Sequence, residues 1–151
     1  MILLIRHAHA GTRAVWPGAD GDRPLSAQGE QEARRIATLL AGRPIDRILS
    51  SPRQRCLETV APLAEARGLA VERDRRLDEE AVPGDARALL GAPLPGTVLC
   101  THGPVIADLL AGLAAAGVPL SAARAAGRGS VWELAIAGGR IVSGRYLPPP
   151  G

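Results

Sequence analysis

The apolar residues of this chain fall into short blocks of two kinds, continuous runs and helically spaced sets. Ile2–Ile5 is a run without alternation, closed by Arg6 and His7. Such a run predicts a strand buried on both faces over residues 1–6. Residues 8–25 read as a loop rich in Gly, Pro and Asp. It is longer than most connections, and long loops in compact domains are often functional. Ser26 follows as an N-cap; Ala33, Ile36, Ala37 and Leu40 recur at helical spacing, and Gly42 and Pro44 end the helix. A second strand is predicted over 45–50. Ser51 as N-cap, Pro52 at N1 and Gln54 at N3 predict a capping box for the next helix. Its apolar face is Cys56, Val60, Leu63 and Ala64, and Gly68 stops it.

A weaker strand is predicted over 69–73, then an irregular stretch over 74–96 with a short helix at 85–90. Residues 97–101 form a third buried strand. Gly103-Pro104 opens a helix with Val105, Ile106, Leu109, Leu110 and Leu113 inward. The C-terminal part reads as a hairpin, 130–137 and 140–147, turning at Gly138-Gly139. Strands alternating with helices predict an α/β fold, a three-layer α/β/α sandwich with a mostly parallel central sheet. With no repeat and no linker, residues 1–147 read as one domain and 148–151, "PPPG", as a disordered tail.

Composition changes this picture in three places. The formal net charge is +3 and the pI about 9.6, yet every cation is Arg, for the chain contains no Lys. These arginines are dispersed, and two Trp and one Tyr are the only aromatics, so nucleic acid is not expected as a partner. Without Lys there is no phosphate-loop lysine and no Schiff base. The two cysteines, Cys56 and Cys100, are too few for a disulfide scaffold and read as buried thiols. No leader or membrane-spanning run is visible, so a cytoplasmic protein without a membrane partner is expected.

In parallel sheets ligands bind beyond the carboxyl ends of the strands. Three such ends carry unusual residues. The first ends in Arg6-His7, the second in "SSPRQR" with Arg55 in the next helix, the third in "CTHG" with His102 before a helix N-terminus. Helix N-termini attract phosphate, and an Arg fork donates two parallel bonds to it. A neutral His beside them can attack phosphorus in line. Thr59, one turn after Arg55, reads as orienting that helix face.

These residues resemble the histidine phosphatase (phosphoglycerate-mutase-like) superfamily. "LIRHA" resembles its signature, "SSPRQRCLET" its second element, "VLCTHG" its third; "DRPLSAQG" at 22–29 resembles the small SixA-like members and domains attached to Nudix hydrolases. The resemblance implies that His7 is phosphorylated and that Arg6, Arg55 and His102 bind the phosphoryl oxygens. It also implies a general acid after the middle strand. Glu79 is the candidate and Glu80 the runner-up, with the SixA-like case leaving open that no equivalent exists. Two departures stand out: Ala8 replaces the signature Gly, and Pro104 follows His102-Gly103. The chain offers little material for a long lid, which argues against a mutase.

The expectation is therefore a phosphatase without metal or cofactor. Its substrate would be a phosphorylated small molecule, a nucleotide or a phosphohistidine protein, with Arg13 and Arg23 meeting the rest of it. Two alternatives remain: a non-catalytic phosphate-binding module, and a metallohydrolase built on His7, His9 and His102. Oligomeric state is not legible. A cysteine phosphatase is excluded, because the residues six positions after Cys56 and Cys100 are Pro62 and Ile106, not Arg.

Overall fold

The computed structural model describes residues 1–82, 84–122 and 125–151. Pro83, inside the stretch read as irregular, lies outside the described residues. Six strands form one sheet: β1 (Ile2–Arg6), β2 (Arg47–Ser50), β3 (Val71–Arg73), β4 (Thr97–Thr101), β5 (Val131–Ala137) and β6 (Arg140–Leu147). Their order is β3-β2-β4-β1-β5-β6. The first four run parallel, and β5 and β6 close one edge antiparallel. Four helices cover the sheet: α1 (Ala27–Leu39), α2 (Gln54–Arg67), α3 (Arg87–Gly91) and α4 (Gly103–Ala115).

The continuous apolar run of β1 is explained by burial on both faces. Leu3 and Ile5 pack with Ile36 of α1, Leu40 just past its end, and Val60 and Leu63 of α2. Ile2 and Leu4 pack on the opposite side with Leu90 of α3 and Ile106, Leu109 and Leu110 of α4. The result is the three-layer sandwich with a largely parallel sheet. The hairpin turns where expected, through Gly138 and Gly139 at φ 57° and 73°, which suit a tight β5–β6 connection. Cys56 and Cys100 are buried and unpaired. No described helix is long and apolar enough to cross a membrane.

Two sequence expectations change. The predicted capping box on Ser51 does not form. α2 starts at Gln54, its N-cap is Arg53, and no side chain caps it. The 8–25 loop carries two short 3-10 turns, Arg13–Val15 and Asp20–Asp22. Ser26 does cap α1, accepting from the Gly29 N–H.

Candidate active site

The register brings three chain reversals together. Arg6 pairs with Thr101 across β1 and β4, and Ser50 with Cys100 across β2 and β4. His7, His102 and Ser51 each follow the last residue of one of these strands. His7 N donates to Thr101 O at 3.1 Å, and Ser51 N to Cys100 O at 2.9 Å. The two imidazoles therefore meet, with ring centroids 5.4 Å apart and planes inclined by 64°.

His7 is buried, and its Nδ1 lies 2.8 Å from Ala8 O. A carbonyl only accepts, so the proton sits on Nδ1 and Nε2 keeps its lone pair. The next N–H, of Ala8, donates to Thr59 Oγ1 at 2.9 Å, while Thr59 Oγ1 donates to Arg55 O at 2.7 Å. Thr59 thus ties the backbone after His7 to the helix that carries Arg55. The Ala8 methyl packs with Ala10, Leu25 and Ala33, so the substitution for Gly fills a small apolar pocket.

His102 is fully buried, with Nε2 2.9 Å from Ser51 Oγ and 3.5 Å from Cys56 Sγ. Ser51 Oγ also accepts from Arg53 N at 3.3 Å, so the hydroxyl joins this imidazole to the residue before α2 and reaches no N–H inside the helix. Gly103 follows for a steric reason: a Cβ there would lie 3.0 Å from Arg6 Cζ. The missing side chain lets the Arg6 guanidinium rest against the start of α4, where Pro104 is accommodated in the first turn.

Arg55 is 2% exposed and already engaged. Its Nη1 donates to Asp20 O at 3.0 Å, and its Nη2 to Asp20 Oδ2 at 3.2 Å and Glu79 Oε2 at 3.0 Å. Arg6 donates from Nη1 to Ala126 O at 2.5 Å. The Nε atoms of both arginines are buried and have no acceptor among the described residues. Such donors are costly to bury unpaired, and a tetrahedral oxyanion supplies acceptors for them.

Asp20, which sequence reading missed, is the hub of the 8–25 loop. Besides Arg55 it meets Arg23 at 3.1 Å, Arg53 at 3.5 Å and Arg13 at 3.6 Å. Burial pushes its carboxyl up, but the Arg23 hydrogen bond and the charges of Arg55, Arg23 and Arg13 outweigh this and hold it below the usual carboxylate range. Arg23 also donates to Ala10 O at 2.8 Å, so it braces the loop; Arg13 is exposed. Both stand one carboxylate away from Arg55. Asp78 holds Arg53 at 3.0 Å, and the exposed Glu80 reaches the same guanidinium at 3.4 Å. Of the three acids at 78–80, Glu79 is the one that contacts Arg55. His9 points elsewhere, its Nδ1 2.7 Å from Ser26 Oγ.

The glycine of "DRPLSAQG" has a function here. A Cβ at Gly29 would lie 1.9 Å from His9 O, so only Gly lets the first turn of α1 press on the chain after His7.

Burial lowers the His7 pKa to about 4, helped by Arg55 and Arg6 and opposed by the Ala8 hydrogen bond. Burial, His7 and Arg55 lower His102 to about 3. Both rings are uncharged at neutral pH. Unfolded histidine titrates near 6.5, so below that pH the unfolded chain binds more protons and stability falls. The loss runs from about pH 6.5 down through the folded pKa values. Between pH 6.5 and 5 it should reach about 1.6 kcal/mol per imidazole. Urea unfolding at both pH values checks this: His102→Gln should flatten the dependence, and an unchanged slope would contradict the assignment.

A sequence profile of the histidine phosphatase superfamily (branch 1) matches residues 2–84. The chain belongs to that superfamily. It is 31% identical to an 8-oxo-(d)GTP phosphatase of Mycolicibacterium smegmatis over 99% of its own length and 48% of the relative's. It thus spans about half of that longer protein. A structure designated phosphohistidine phosphatase SixA, from Agrobacterium tumefaciens, is 30% identical and superposes with a TM-score of 0.64, covering 74% of this chain and 75% of that one. The protein histidine phosphatase SixA complexed with tungstate gives a TM-score of 0.72 at 20% identity, over 97% and 93% of the two chains, a likeness of fold.

Proposed function

We propose that this chain is a phosphatase that works through a phosphohistidine on His7, without a resident metal. The observation that carries this reading is His7 itself. Its ring is uncharged, oriented through Nδ1, and faces a second imidazole, under the influence of the buried Arg55 guanidinium and the half-buried Arg6 guanidinium. Nε2 attacks phosphorus and the leaving oxygen departs on the opposite side. Arg6, Arg55 and His102 hold the equatorial oxygens, and the two guanidiniums balance the charge spread over them. Arg55 must first exchange Asp20 and Glu79 for the phosphoryl group; the freed Glu79 carboxylate takes up a proton from solvent and, as the carboxylic acid, passes it to the leaving oxygen. Water then attacks phospho-His7, and inorganic phosphate leaves.

The substrate is a phosphohistidine protein, a nucleotide or a small phosphate ester. The names of the relatives support this range without choosing within it, since one acts on an oxidised nucleotide and another is designated a phosphohistidine phosphatase. Rapid quenching of the enzyme with a labelled phosphate donor should trap an acid-labile, base-stable phosphoenzyme. Turnover of p-nitrophenyl phosphate should persist in excess EDTA, because the arginines supply the positive charge that metals supply elsewhere. Phosphate binding without turnover would identify a non-catalytic module. Loss with EDTA and recovery with Zn²⁺ would overturn the metal-free mechanism.

A further inference from the structure

A cavity of ≈ 530 Å³ opens beside Arg6, lined also by His9, Gln28, Glu32, Arg128 and Pro149. Its carboxylate is already occupied. Glu32 Oε1 accepts from His9 N at 3.0 Å, and Oε2 from Gln28 Nε2 at 3.0 Å. Its second guanidinium is not occupied. Arg128 is exposed, and among the described residues no ion pair engages it.

The backbone fixes where Arg128 stands. The next residue, Gly129, donates its N–H to Arg6 O at 3.1 Å and His7 O at 3.2 Å, and Arg6 N donates to Ser130 O at 3.1 Å. Gly129 has φ +78°, which an L side chain rarely adopts. The segment before β5 is thus stitched to the end of β1, and Arg128 is held next to the nucleophile's own strand end. Its charge is felt there: after burial, Arg128 is the largest influence lowering the proton affinity of Arg6, and it also acts on His7. Leaving two guanidiniums at one cavity mouth with a satisfied acid favours an anion between them.

We infer that Arg128, together with the outer side of Arg6, forms a second anion subsite, for a substrate carrying another phosphate or a carboxylate near the phosphoryl group transferred. This rests on the phosphatase reading above and narrows it. A phosphohistidine side chain carries no such group of its own. Nucleoside diphosphates, nucleoside triphosphates and phosphorylated carboxylic acids do.

Three non-hydrolysable probes test the subsite without requiring turnover. Methylphosphonate carries one anionic group, methylenediphosphonate adds a second phosphonate, and phosphonoacetate adds a carboxylate. Affinities are measured by calorimetry at low ionic strength, where exposed charges are least screened. The wild-type protein should bind one of the two-group probes at least about fivefold tighter than methylphosphonate, a modest gain expected of an exposed guanidinium. Arg128→Ala should abolish that gain, and the favoured probe reports whether the second group is phosphate or carboxylate. A wild-type protein with no gain for either, a gain that survives Arg128→Ala, or an equal loss for all three probes would overturn the inference. Hydrolysis of p-nitrophenyl phosphate by the same wild-type preparation reports on the phosphatase reading separately.

Discussion

His7→Ala is expected to remove turnover and the covalent label together. Among the described residues the neighbouring candidates are engaged or buried: His102 Nε2 lies 2.9 Å from Ser51 Oγ, and Cys56 is fully buried. Loss of the nucleophile should lower kcat by on the order of 10⁴-fold or more. The variant should still fold, because the side chain removed is a buried imidazole that costs stability at acid pH. It should also still bind phosphate, since both guanidiniums remain. Calorimetry with inorganic phosphate beside single-turnover labelling separates the two properties. Full activity in the variant, or a label recovered on serine, would sink the mechanism.

The second large effect concerns Glu79, and it depends on the leaving group. An alkoxide leaves poorly and needs a proton as the P–O bond breaks, help that is typically worth about 10²–10⁴-fold. A nitrophenolate needs little. Glu79→Gln should therefore slow hydrolysis of an alkyl phosphate far more than that of p-nitrophenyl phosphate. The measurement is kcat/KM for both substrates in both proteins. Because Glu79 Oε2 also pairs with Arg55 Nη2 at 3.0 Å, a purely positioning role predicts equal losses with the two substrates. No loss with either would remove Glu79 from the mechanism.

The elements whose signals are local were legible in the sequence. The buried run of β1, the Ser26 cap and the Gly138-Gly139 turn depend on neighbours a few residues away, and each appears as read. The placement of Arg6, His7, Arg55 and His102 at one edge was legible because the carboxyl ends of the parallel strands converge there. Ser51 was misread for the opposite reason. A serine before Pro52 looks like a cap, but its hydroxyl is taken by an imidazole 51 positions later. Asp20 carried no local signal either. Its partner in the site, Arg55, is 35 residues away, and an acid beside Arg23 in a Gly-rich loop resembles a solvated turn until the chain folds. Arg23, read in the sequence as meeting the rest of the substrate, braces Asp20 and Ala10 in the fold.

Under the mechanism proposed above, the prior engagement of Arg55 by Asp20 and Glu79 has a kinetic consequence. Any phosphate entering the site competes with two carboxylates tethered to the same chain, whose effective concentration is at least on the order of millimolar. That competition weakens substrate and product alike by one common factor. Inorganic phosphate is thereby expelled more readily after each cycle, as the carboxylates reclaim the guanidinium. Binding strength lost at the phosphoryl group must come back through contacts with the remainder of the substrate. In that mechanism discrimination is transferred from the group that all phosphates share to the parts in which they differ.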